Sequence, residues 1–542
     1  MLLLFALLIA ASPPDLRAQG EAGVRAIHAD ALSSHIRFLA DDLLEGRATG
    51  SRGHAVAARY LATQLQALGL QPAGEGGTWF QPVPFIGMTV VPEKCALELD
   101  GAALKYPDEV LFFPRAGASS DDVSGELVFT GYGVSAPLYG YEDVPKDLHG
   151  KIAVILFGAP HSDREDFFPT AASAVYSDHL VKTRVLAERG AVGMIQVLTP
   201  QMEKNNPWPF WKLTFSFERV VWKEGKKAIG GYVLPAAWMP ASGLERMLSG
   251  SGHTAEEIFA AGPKGGLKPF SLRKQARLRI TANLREFTSD NVAGVLRGGE
   301  RPDEYVAVSA HLDHLGIGPA MDGDNIYNGA VDNASGVSAM IEIARAFTAL
   351  PRRPRRSILV LGFTAEEKYL QGSEYFIRHP TVPLASIVAD VNLDSMAGLF
   401  REPRDIVPIG AEHSTLMEAA RAAAKAQSLK ISPDPLPNEV SFIRADQYRF
   451  VRAGIPSVFP RVGWQDATGD IEKGKAHTEW WLKNRYHKPT DEWDPTAGYD
   501  SLAMEVRTDF LMTLSVASNP ERPRWNKGDV FEKLFAGHSS PR

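Results

Sequence analysis

Apolar positions along the chain follow different rhythms in different stretches. Residues 27–72 read as helical: HAVAARYLATQLQALGL places Val56, Tyr60, Leu61, Leu65 and Leu68 at helical spacing, and Gly69 fits a C-terminal stop. Residues 78–104 read as short strands, with alternating apolar positions in VVPEKCALELDG. From about residue 120 the texture changes. SGELVFTGYGV and GKIAVILFG are two strands separated by the loop SAPLYGYEDVPKDLH, then HLVKTRVLAERGA is a helix and VGMIQVL a buried strand. A Pro- and Trp-rich stretch around Trp208 and Trp211 follows, and the whole segment reads as a smaller domain inserted into a larger one. Near residue 280 the texture changes again. YVAVSAH, SILVLGFT and IVADVNLD are short apolar runs, and between them lie helical stretches such as ASGVSAMIEIARAFTAL, with Val337, Met340, Ile341, Ala344 and Phe347 on one stripe. Strands alternating with helices predict an α/β fold with a mixed, mainly parallel sheet sandwiched by helices. In such folds ligands gather beyond the carboxyl edges of the strands.

The length of 542 residues exceeds one hydrophobic core and predicts two or three domains. The first residues, MLLLFALLIAAS, form an apolar stretch of signal-peptide length, too short to span a bilayer. Residues 1–19 are therefore expected to be a cleaved leader, and the protein secreted or periplasmic. No later stretch is long and apolar enough for a membrane span in the mature chain. A net charge of -6 argues against a nucleic-acid partner. The run RRPRR, Arg352 to Arg356, reads as a solvated loop. Cys95 is the single cysteine, which excludes an intrachain disulfide and a cysteine-based zinc site, and it reads as a small buried side chain beside a strand.

The candidate chemistry sits where strands end. His311 ends YVAVSAH, Asp332 lies in the turn GAVDNASG before a helix, Glu366 and Glu367 follow SILVLGFT, Asp394 closes IVADVNLD, and His487 lies in the loop RYHKPTDEW. Singly these are ordinary: a strand-end His is usually structural, and Asp332 could be a helix N-cap. Together, two imidazoles and three carboxylates are what two zinc ions need when one carboxylate bridges them.

The motifs SAHLDHLG, NGAVDNASG, FTAEEKYLQGSEYF, NLDSMAG and YHKPTDE, in this order, resemble the di-zinc aminopeptidase family, which also contains the glutamate carboxypeptidases. The resemblance covers residues 27–110 and 275–515, as one discontinuous zinc peptidase domain, with 516–542 left as a C-terminal tail. It implies two Zn2+ ions. His311 and Asp394 would hold one, Glu367 and His487 the other, and Asp332 would bridge them. It also implies Glu366 as general base, Tyr486 as donor to the oxyanion, and a cis Asp332–Asn333 peptide bond. Asp313 resembles the carboxylate that holds the first zinc His, and Asp491 is expected to do similar work near His487. SFIRADQYRFVRAGIPSVF resembles a pocket-lining segment that often carries Asp-His; here the pair is Asp446-Gln447, so Asp446 is expected to line the substrate pocket. His314 reads as pocket wall and His477 as a loop residue. The insert, residues 115–265, resembles a β-rich protease-associated domain through GYGV, DLHGKIAVILFG and GAVGMIQV. The activity implied is removal of N-terminal residues from peptide substrates. A carboxypeptidase on the same scaffold and a non-catalytic receptor-like homologue are the alternatives, while oligomeric state and preferred residue are left open.

Overall fold

The computed structural model describes residues 15–162, 164, 166–395, 403–437 and 441–535. Two sheets share one long strand, Phe270–Leu296. Its residues 270–281 pair with Ser120–Phe129 on one edge, and residues 276–279 pair with Ala96–Leu99 on the other. Beyond that point residues 282–292 pair with Phe80–Val90, and residues 292–296 pair with Arg356–Phe363.

The larger sheet runs in the order Arg219–Glu224, Phe80–Val90, the second half of the long strand, Arg356–Phe363, Arg301–His311, Ile387–Asn392, Ser457–Val462 and Asp405–Ile409. Four central strands, from Arg356–Phe363 to Ser457–Val462, are parallel to one another. Parallel strands are joined by crossovers that cover both faces, so their side chains are apolar in both directions. Arg301–His311 shows this: Val306, Val308 and Ala310 enter the core with Val337, Ile341, Phe347 and Phe510. Tyr305 and Ala307 enter the opposite core with Leu359, Leu361, Phe376 and Phe450. The stripe predicted on ASGVSAMIEIARAFTAL is buried within the helix Gly336–Ala349.

The second lobe is a sheet ordered Ala96–Leu99, the first half of the long strand, Ser120–Phe129, Ile152–Leu156, Gly193–Val197, Ala236–Met239 and Leu111–Phe113. The predicted helix and strands of this segment form, as His179–Glu188, Ile152–Leu156 and Gly193–Val197. The lobe begins earlier than the expected boundary near residue 110, because Ala96–Leu99 and Leu111–Phe113 pair with it. Alternating apolar residues fit either sheet, so the pattern alone could not say which.

Other differences are local. Arg356 does not lie in a solvated loop: it starts a strand, is fully buried, and donates to Glu304 at 2.7 Å and to the Val516 carbonyl at 2.9 Å. Residues 516–535 are not a loose tail, since Trp525 and Phe531 pack with Phe442, Tyr448 and Phe459. His477 lies on the helix Glu472–Asn484 rather than in a loop, and is exposed. Cys95 is half-buried, with Sγ 3.3 Å from the Thr281 amide that donates to it. Of the expected leader, residues 1–14 lie outside the described residues, and Leu16 opens a helix that packs on the main core. Met396, Ala397 and Gly398 of NLDSMAG also lie outside the described residues. Among the described residues no helix is long and apolar enough to cross a membrane.

Candidate metal centre

The carboxyl edge of the parallel strands gathers all five predicted ligands. His311 is the last residue of its strand, and Glu366–Glu367 and Asp394 follow Phe363 and Asn392 within a few residues. Asp332 sits in the irregular turn Ala330–Ser335, which feeds the helix Gly336–Ala349. Its peptide bond to Asn333 is cis, as the resemblance implies. His487 comes from the loop after Glu472–Asn484. Ala365, Ser395 and His487 all have left-handed backbones (φ 56°, 52° and 56°). Each costs roughly 1 kcal/mol or more for a residue with a Cβ, so the surrounding structure must hold these turns in place.

The geometry forms two adjoining clusters. His311 Nε2 lies 3.2 Å from Asp332 Oδ1 and 3.5 Å from Asp394 Oδ1. His487 Nε2 lies 3.3 Å from Asp332 Oδ2 and 3.3 Å from Glu367 Oε2. The two oxygens of Asp332 thus face different clusters, which is the geometry of a bridge. Ligands held about 2.1 Å from a tetrahedral ion stand about 3.4 Å from each other, and these four contacts match that edge. His311 Nε2 is buried and makes no hydrogen bond, although it faces the cluster. Buried polar atoms are rarely left so. Imidazole and carboxylate donors, these edges and this orphaned nitrogen all fit zinc.

Supporting residues hold the predicted ligands in place, in ways partly different from those expected. His311 Nδ1 meets the main-chain carbonyl of Asp313 at 3.0 Å, while the Asp313 carboxylate is 3.9 Å away. That carboxylate instead accepts from the Glu366 amide at 3.1 Å and from the Thr49 hydroxyl at 3.0 Å. Asp313 therefore positions the Glu366 turn. Asp491 does not act on His487: its carboxylate accepts from the amides of Val331 and Asp332, each at 3.1 Å, and fixes the bridging turn. Asn333 donates to the Leu393 carbonyl at 2.9 Å and accepts from the Ser395 amide at 3.2 Å, tying that turn to the Asp394 loop. Such outer partners set ligand orientation.

Glu366 belongs to neither cluster, and its Oε2 stands 4.0 Å from His311 Nε2. Burial, reinforced by the charges of Asp394 and Glu367, pushes its carboxyl well above the usual carboxylate range. Tyr486 stacks on His487 with ring centroids 3.8 Å apart, and its hydroxyl oxygen accepts from Arg444 at 3.1 Å. Asp446 is not pocket wall. It is fully buried at the start of the helix Gln447–Arg452, accepts from Ser373 at 2.5 Å, and is pushed up to about 7 by burial. Sequence reasoning missed three things. His314, read as pocket wall, lies 2.7 Å from Glu367 Oε1. Arg444 reaches Tyr486 from a segment read only for its Asp446. Phe210 of the second lobe lies parallel to His487, with centroids 6.4 Å and planes 10° apart. His314 alone carried a signal, as the second imidazole of SAHLDHLG.

Fold and site together are those of an α/β metallopeptidase-type domain. Residues 291–505 match the model of Peptidase family M28. Among curated proteins, Aminopeptidase NAALADL1 of Mus musculus is 32% identical over 169 residues, which are 30% of this chain and 20% of that protein. The Probable glutamate carboxypeptidase AMP1 of Arabidopsis thaliana is 38% identical over 109 residues, 19% of this chain and 14% of that protein. The chain thus spans about a fifth or less of the length of these relatives. The solved Aminopeptidase from Aneurinibacillus sp. strain AM-1 shares the fold, with TM-score 0.53, 19% identity and coverage of 93% of this chain and 97% of that one.

Proposed function

We propose that this chain is a zinc-dependent exopeptidase that hydrolyses N-terminal residues from peptides at a site for two zinc ions. The observation that carries the reading is a carboxylate, Glu366, standing beside two adjoining ligand clusters without joining either. His311 and Asp394 would hold one ion, Glu367 and His487 the other, with Asp332 between them. When bound, the paired ions supply Lewis acidity and lower the pKa of water towards about 7. Glu366 takes the proton of the attacking water and passes it to the leaving amine. Arg444 donates to the oxygen of Tyr486, so the phenolic proton stays free to stabilise the oxyanion. We read the second lobe as a protease-associated domain that walls one side of the cleft, supported by Phe210 over His487. Export is inferred from the apolar leader MLLLFALLIAAS.

The aminopeptidase name of the mouse relative supports N-terminal cleavage, while the glutamate carboxypeptidase name of the Arabidopsis relative favours a second reading. Blocked peptides separate the two. Amino-acid p-nitroanilides and C-terminally amidated peptides are expected to be cleaved, and N-acetylated peptides to resist. Cleavage that survives N-acetylation and stops on C-amidation would establish the carboxypeptidase instead.

A further inference from the structure

Among the described residues, five lysines and arginines are buried: Arg47, Lys182, Arg356, Lys368 and Arg449. Four of them spend their charge on protein. Arg47, Lys182 and Arg356 donate to main-chain carbonyls, Arg356 also to Glu304, and Arg449 donates to the Tyr369 carbonyl and lies beside Glu374. Lys368 keeps only 8% of its surface exposed, yet among the described residues its Nζ has no hydrogen bond and no ion pair. An ammonium taken out of water without a partner is costly, so stability alone does not explain it.

The carboxylates whose charge reaches Lys368 are those of Glu367, Asp313 and Glu218, with Arg219 opposing them. Each is engaged elsewhere. The two oxygens of Glu367 face His314 and His487 at 2.7 and 3.3 Å, and Asp313 accepts from Thr49 and from the Glu366 amide. Glu218 forms a two-point pair with Arg285 at 2.6 and 3.2 Å. The Lys368 ammonium stands instead 5.6 Å from the ring centre of Phe217. That ring meets Tyr327 edge-on at 5.2 Å, and a Cβ on Gly318 would stand 2.5 Å from it, so it is wedged against the hairpin of Gly316–Met321 and Asp324–Tyr327. Earlier in the same stretch of the second lobe, Phe210 lies parallel to His487. The stretch thus reaches the peptidase lobe at His487 and again at Lys368. Glu367 joins the two points, because it precedes Lys368 in the chain and stands 3.3 Å from His487.

We propose that Lys368 is a specificity-determining residue that binds a carboxylate of the peptide substrate, carried either by an acidic side chain or by the free C-terminus. The inference rests on the exopeptidase reading above and names the substrate class of that same site. A carboxylate arriving at the ammonium gains a charge-assisted hydrogen bond, roughly twice as strong as one between neutral groups. The ammonium has already lost most of its water in folding, so the desolvation that opposes such a pair falls on one partner only. A neutral isostere of the same shape gains neither the charge nor the match.

Peptide pairs that differ by one charge test this. With the full zinc-loaded chain, KM is measured for Glu-Leu-amide against Gln-Leu-amide, Leu-Glu-amide against Leu-Gln-amide, and Leu-Leu against Leu-Leu-amide. In at least one pair the carboxylate member should have a KM about 10-fold lower. The pair that responds identifies the source: a side chain before the cut bond, a side chain after it, or the C-terminus. Lys368→Met should bring that ratio close to one by raising KM for the carboxylate member alone, and Lys368→Arg should restore it. A merely structural role would move both members together. Three flat ratios in the native chain, or a ratio that survives in Lys368→Met, overturns the proposal, and the native chain decides the first even where the variant fails to fold. Equilibrium binding of the same peptides to Glu366→Gln reads the preference without turnover. Carboxylate preference in binding, with none of the six peptides hydrolysed by the native chain, would sink the exopeptidase reading and uphold Lys368 as the carboxylate's partner.

Discussion

The two lobes are built from the same kind of part and put it to different use. Each has a parallel core: Arg356–Phe363, Arg301–His311 and Ile387–Asn392 in one, Ile152–Leu156, Gly193–Val197 and Ala236–Met239 in the other. The first set runs out into His311, Glu366, Glu367 and Asp394. The second runs out into Phe157, Leu198 and Pro240. Charged groups inside the second lobe serve its own backbone. Asp143 accepts from the amides of Tyr132 (2.7 Å) and Val134 (2.6 Å) and from the Tyr141 hydroxyl (2.8 Å), and Lys182 donates to the carbonyls of Leu156 and Gly158. An apolar strand core therefore says where a site could be. The residues just past its carboxyl edge say whether there is one.

The sharpest way to break this contrast is at the strand edge of the peptidase lobe. Glu366→Gln keeps the shape of the side chain and removes its ability to take a proton. Turnover should fall about 10³-fold, with metal content unchanged, because Glu366 lies outside both clusters. Near-normal turnover, or metal lost in parallel with turnover, would mean that Glu366 is a ligand or a bystander.

The reverse experiment, inside the second lobe, should cost stability and leave chemistry alone. Asp143→Ala strands two buried amides and the Tyr141 hydroxyl, a loss of about 3 kcal/mol. Turnover per folded molecule should stay within about twofold; a larger loss would show that the lobe's interior is coupled to the site. Stability should also change with pH in a stated direction. Burial pushes the Asp143 carboxyl from 3.8 up to about 6, against the pull of the Tyr132 and Val134 amides, Tyr141 and Lys182. The folded state then binds the proton more tightly than the unfolded chain does. This contribution is complete below about pH 4 and disappears as pH rises through about 6. Between denaturant titrations at pH 4 and pH 7 the native chain should lose more stability than Asp143→Ala does, the difference being this contribution.

What the sequence disclosed follows from how local each feature is. Continuous apolar runs such as SILVLGFT carry their own signature, and most of the clustered His and carboxylate residues lie just past the ends of those runs, so the strands and the place where these side chains gather were both legible. Features set by distant pairing were not. The alternation of residues 96–104 looks the same on either sheet. Asp313 and Asp491 were recognisable as supporting carboxylates, but whether each meets a ring or an amide depends on turns whose backbone is left-handed or irregular. Asp446 shares a segment with pocket residues, yet the start of its helix turns it inward onto Ser373. Arg356 looked solvated because four of five residues in its run are arginine, and only the pairing with Glu304 across strands shows it buried.

The junction between the lobes should give the smallest effect and the finest test. Phe210, on the helix Trp208–Thr214, is a point where the second lobe meets the site of the first, its ring parallel to that of His487. Its ring neither donates nor titrates, so it can act only by contact with a substrate side chain or by excluding water. An aromatic contact of this kind contributes about 1 kcal/mol. Phe210→Ala should therefore raise KM roughly fivefold for substrates with a bulky apolar first residue, while kcat moves less than twofold. Substrates beginning with alanine should be nearly unaffected. A uniform rise in KM across substrates would instead assign Phe210 to general closure of the cleft. A drop in kcat with KM unchanged would place it in the reaction itself, and the division of labour between the lobes would then be wrong where they meet.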